Sequence, residues 1–121
     1  MGLDSFWELP KGNQKIEFDP PLRLCGGMLS GHGEGSFRGK VYDTLVETIT
    51  GQSLYQELIS PEAVKKMSQS ISATEFDSLP ESMRTTQDDP SDYAVTRSEY
   101  EDLRRMFSAY AEAGACLKGW W

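Results

Sequence analysis

The sequence predicts an α+β domain in which a small N-terminal antiparallel sheet packs on three to four helices. Three observations lead there. Short alternating apolar and polar stretches open the chain, apolar residues spaced by four follow in the middle, and a capping box introduces a regular helical stripe further on. The 121 residues are 38% hydrophobic, with three Trp, five Tyr and five Phe, enough aromatic mass to form one core. That length predicts a single domain over residues 1–121 and excludes a multidomain enzyme.

Residues 1–25 read as short strands. Phe6-Trp7-Glu8-Leu9 and Lys15-Ile16-Glu17-Phe18 flank the turn-rich Pro10-Lys11-Gly12-Asn13-Gln14, which predicts a hairpin with a five-residue loop. Asp19-Pro20-Pro21 stops the second stretch, because the first proline disfavours helix before it and neither can donate to a ladder. Leu22-Arg23-Leu24-Cys25 can supply a third strand. Residues 26–36 are a Gly-rich loop by composition, with five glycines between positions 26 and 35.

Residues 37–73 read as helices. Phe37, Val41, Leu45 and Ile49 recur every four residues, with Arg38, Lys40, Asp43 and Glu47 facing away, so the first helix is expected from Phe37 to Thr50 with Gly51 as its stop. Ser53-Leu54-Tyr55-Gln56 has the form of a capping box and predicts a short second helix through Ile59. Ser60-Pro61-Glu62 starts a third, with Ser as N-cap, Pro in the first turn, and Val64, Met67 and Ile71 inward.

Residues 74–95 lack a sustained period and read as an acidic surface loop, with one helical turn near Leu79 to Met83. Thr96-Arg97-Ser98-Glu99 is another capping box, followed by the stripe Tyr100, Leu103, Phe107 and Tyr110, so residues 96–114 form the last helix, capped by Gly114. The apolar tail 115–121 is too large to leave uncovered, and it is expected to return to the core as an edge strand beside the N-terminal hairpin.

Charge is concentrated in one place. Residues 75 to 102 hold nine acids against Arg84 and Arg97, a net of −7 that equals the charge of the whole chain. A general basic face for nucleic acid is therefore disfavoured. The acids Asp88, Asp89, Asp92, Glu99, Glu101 and Asp102 are instead candidate contacts for a basic protein partner. Apolar runs are far too short to span a bilayer, so no membrane partner is expected and the protein is read as cytoplasmic. Cys25 and Cys116 have no C-x-x-C or histidine companions, which predicts free buried thiols, no metal site and no cofactor. The sharper alternative is a disulfide between them.

Gly33-Glu34-Gly35-Ser36-Phe37-Arg38-Gly39-Lys40-Val41 is similar to a protein-kinase glycine-rich loop with one extra residue, Arg38. The V-A-I-K, H-R-D and D-F-G segments that a kinase requires do not occur in the chain, so that reading fails. What survives is an anion site where a Gly loop feeds a helix N-terminus, using Gly31, His32, Gly33, Gly35, Arg38 and Lys40. No catalytic residues are identified, since Cys25 and His32 flank the loop without a third, orienting group.

The opening Met1-Gly2-Leu3-Asp4, followed soon by aromatics, resembles a set of small bacterial and phage proteins that begin in this way. The resemblance covers four to seven residues. It implies a small cytoplasmic accessory protein of a mobile element, with no assigned reaction and no functional residues to carry over. The residues themselves favour a non-enzymatic interaction or regulatory module that uses the acidic segment. The alternatives are an anionic-ligand binder or minor enzyme at loop 26–36, and a homo-oligomer joined through the aromatic stripe and Trp120-Trp121.

Overall fold

The computed structural model describes residues 3–12, 16–19, 22, 24, 36–85 and 94–121. It has the α+β architecture, with a three-stranded antiparallel sheet and three α-helices. The strands are β1 (Asp4–Glu8), β2 (Ser36–Phe37) and β3 (Cys116–Trp120), and the helices are α1 (Gly39–Thr50), α2 (Pro61–Ala73) and α3 (Arg97–Glu112). Single 3₁₀ turns lie at Phe76–Ser78 and Glu81–Met83.

β1 is the central strand. Alternation sends Leu3, Ser5 and Trp7 inward, and both neighbours run antiparallel to it, with Ser5 opposite Phe37 on one side and Gly119 on the other. The expected hairpin is not formed, since residues 16–18 lie outside any strand and β1 pairs instead with segments far along the chain. Leu22 and Leu24 are buried without being part of a strand; the rest of the expected third strand, and residues 26–35 of the Gly-rich loop, lie outside the described residues. The tail forms the expected edge strand, β3, beside β1.

Two of the helices begin where side chains can satisfy their free amides. The Ala63 N–H donates to Ser60 Oγ at 3.2 Å and Pro61 occupies the first turn of α2. At α3 the Glu99 N–H donates to Thr96 Oγ1, and the Thr96 N–H donates to the Glu99 carboxylate, completing the capping box. α1 differs from expectation in starting at Gly39, because Phe37 is drawn into β2 and the helix packs closely on β1. A Cβ at Gly39 would run into the Ser5 hydroxyl.

One core joins the sheet to the helices. Trp7 stacks on Tyr110 with ring centroids 4.6 Å apart, meets Phe107 edge-on at 5.1 Å, and is fully covered. Tyr100, Leu103, Met106 and Phe107 of α3 and Val64, Met67 and Ile71 of α2 complete it. Tyr100 also ties the two helices together, its hydroxyl donating to the Thr74 carbonyl at 2.7 Å.

Candidate interaction surface

The segment 53–59 does not become a helix, and the reason lies in its capping residues. Asp43 of α1 accepts from Ser53 Oγ at 2.9 Å and from the Leu54 N–H at 2.6 Å, while Ser53 Oγ accepts from the Tyr55 N–H at 3.0 Å. The hydroxyl that would have capped a helix instead closes a turn two residues on. The chain then runs antiparallel along the outer side of β3. Ile59 and Leu117 exchange both backbone hydrogen bonds, at 2.7 and 3.1 Å, and the Gly119 N–H donates to the Gln56 carbonyl at 3.1 Å. Gly119 allows this approach, since a Cβ there would stand 2.7 Å from the Gln56 carbonyl oxygen and 2.8 Å from that of Leu54.

This pairing places four large exposed apolar residues along one edge of the sheet, two on segment 53–59 and two at the end of β3. Leu58 is 57% exposed, Trp120 65%, Trp121 49% and Tyr55 39%, and among the described residues these are the exposed large apolar side chains. Tyr55 and Trp121 touch, with centroids 5.6 Å apart and planes at 69°. Beside them Lys118 donates to Glu8 at 2.6 Å, and this contact raises the lysine's pKa. Asp4 lies directly across the sheet from Trp120. Cys116 is a half-buried free thiol, Cys25 lies outside the described residues, and burial followed by the Glu8 charge pushes the Cys116 pKa up.

The three described candidate acids, Glu99, Glu101 and Asp102, do not share one surface. Glu99 is buried and accepts from the Tyr42 hydroxyl at 2.8 Å besides closing the capping box, and Asp102 is buried against Arg105 at 3.0 Å. Both carboxylates hold α3 in place and are not available to a partner. Their signal was periodicity, since positions 99, 102, 103 and 106 share the inward face of the helix. Glu101 is exposed and shares Arg104 with Glu75, while Asp77 pairs with Arg97 at 2.8 Å. Asp88, Asp89 and Asp92 lie outside the described residues.

Gly31, His32, Gly33 and Gly35 also lie outside the described residues, whereas Arg38 and Lys40 are exposed where α1 begins. Two first-turn amides of α1 are already in use, with the Lys40 N–H donating to the Leu3 carbonyl and the Val41 N–H to that of Arg38. The Tyr100, Leu103, Phe107 and Tyr110 stripe is fully buried, which removes it from any interface and leaves Trp120 and Trp121 as the exposed part of that expectation. A shallow groove of about 280 Å³ between the end of α1 and α2 is lined mainly by polar groups, among them Thr50, Gln52, Glu62 and Lys66.

Among the described residues no helix is long and apolar enough to cross a membrane, and no three His, Cys, Asp or Glu side chains gather as metal ligands would. No family model, curated protein or solved structure matches the chain.

Proposed function

We propose that the protein is a small interaction module that holds a partner protein, with the edge formed by Tyr55, Leu58, Trp120 and Trp121 as its contact surface. The observation that carries this reading is the exposed Tyr55–Trp121 pair at a sheet edge that also bears exposed Leu58 and Trp120. Single exposed apolar residues are ordinary on any surface, but four large ones collected on one edge, three of them aromatic, have the composition of a binding hot spot. The acidic segment, with Asp88, Asp89, Asp92 and Glu101, complements it by steering a basic partner from a distance. The free Cys116 thiol suits a reducing, cytoplasmic setting.

The test is affinity capture from lysate of the source cell at low and moderate salt. It compares the wild type with Trp120→Ser/Trp121→Ser and with Asp88→Asn/Asp89→Asn/Asp92→Asn. A stoichiometric partner should be lost with the first variant at both salt concentrations, and with the second should be captured less at low salt. Equal capture by the tryptophan variant would overturn the reading.

A further inference from the structure

Resting on that reading, we infer that the occupant of the edge surface is a cationic, apolar segment of a partner protein, one that presents Lys or Arg between apolar side chains. Charge decides the choice. Asp4 faces Trp120 across the sheet, Glu57 immediately precedes Leu58, and both acids are exposed. Lys118, the cation beside them, is already engaged by Glu8. A lysine or arginine arriving here meets these carboxylates and can lie over an exposed indole or phenol ring, whose π face attracts it. Its apolar neighbours cover Leu58 and the remaining ring surface.

A second copy fits poorly. A two-fold contact sets the same patch against itself, so the Asp4 and Glu57 carboxylates of two chains would crowd together between bodies each carrying −7. The manner of contact follows from the backbone. Leu117 and Gly119 have spent their N–H groups on Ile59 and Gln56, so the outer side of β3 is closed to an added strand and β3 itself can offer a partner only side chains there.

Three synthetic helical peptides of equal length, built from Leu and Lys, Leu and Glu, or Ser and Lys, test this by calorimetric titration into the full chain. The Leu/Lys peptide should bind most tightly and lose about tenfold in affinity with Trp121→Ser or Leu58→Ser. It should lose about threefold with Asp4→Asn/Glu57→Gln, less at high salt. The Ser/Lys peptide should bind weakly and be indifferent to Trp121→Ser. Equal binding of the Leu/Glu peptide, or a wild-type dimer that Trp121→Ser returns to monomer in sedimentation, would overturn the cationic occupant while leaving the surface standing. Leu/Lys binding indifferent to both Trp121→Ser and Leu58→Ser would overturn the surface as well.

Discussion

Trp7 and Trp121 sit at adjacent strands of the same small sheet and do opposite things. Trp7, on the central strand, is stacked on Tyr110, edged by Phe107 and wholly covered. Trp121, just past the edge strand, touches Tyr55 and leaves about half of its surface in solvent. The residue type is the same, so its position in the sheet decides its role. A ring enclosed on all sides stabilises the fold, while a ring covered on one side retains contact energy for another molecule.

The comparison can be broken most severely from the centre. Trp7→Ala removes the ring around which β1, α3 and β2 pack, and should cost about 3–5 kcal/mol in chemical denaturation. In a domain of ordinary stability that leaves little folded protein at physiological temperature. Gly119→Ala attacks the boundary between centre and edge, because the added Cβ collides with two backbone carbonyls of segment 54–56. A loss of about 1–3 kcal/mol is expected, together with weaker partner capture as Tyr55 and Leu58 move away from β3.

Alkaline titration sharpens the buried side. Burial pushes the Tyr100 pKa up from 10.0 to about 12, since the folded state disfavours the phenolate. Below pH 10 Tyr100 is protonated in both states and contributes its full stabilisation. Between pH 10 and 12 the unfolded chain releases this proton before the folded one does, so stability falls as pH rises. The slope of stability against pH in that window should be smaller in Tyr100→Phe. The smallest effect belongs to the edge, where Trp121→Ser should change stability by within about 0.5 kcal/mol while weakening partner binding.

Local chemistry made much of the fold legible. α2 and α3 follow from an N-cap serine with proline and from a capping box, signals contained within four residues of sequence. β3 follows from an apolar tail that returns to the core through Ala115 and Leu117, although its two tryptophans, expected to be covered as well, stay exposed. The hairpin failed because strand pairing is non-local, and β1 finds its partners near residue 36 and near residue 118 rather than across the adjacent turn. Phe37 satisfied a helical period and a strand position equally well, and sheet pairing decided between them.

The candidate surface was half legible. Trp120 and Trp121 stood out as bulky residues at a strand end, whereas Tyr55 and Leu58 carried no signal, because their exposure arises only once Asp43 captures Ser53 and Ile59 pairs with Leu117. Charge counting pointed to Glu99 and Asp102, yet helical phase turns both inward. A count of acids along the sequence does not distinguish a carboxylate that caps a helix from one that meets a partner.

The most direct test follows the indole N–H signals of Trp7, Trp120 and Trp121 by nuclear magnetic resonance, assigned by single Trp→Phe variants, as the Leu/Lys peptide is added. The account predicts that the Trp121 signal exchanges rapidly with solvent and that the Trp120 and Trp121 signals shift on titration, while the Trp7 signal stays protected and unmoved. A protected Trp121 indole in the free protein, or a titration that moves Trp7 and leaves Trp120 and Trp121 in place, would contradict it.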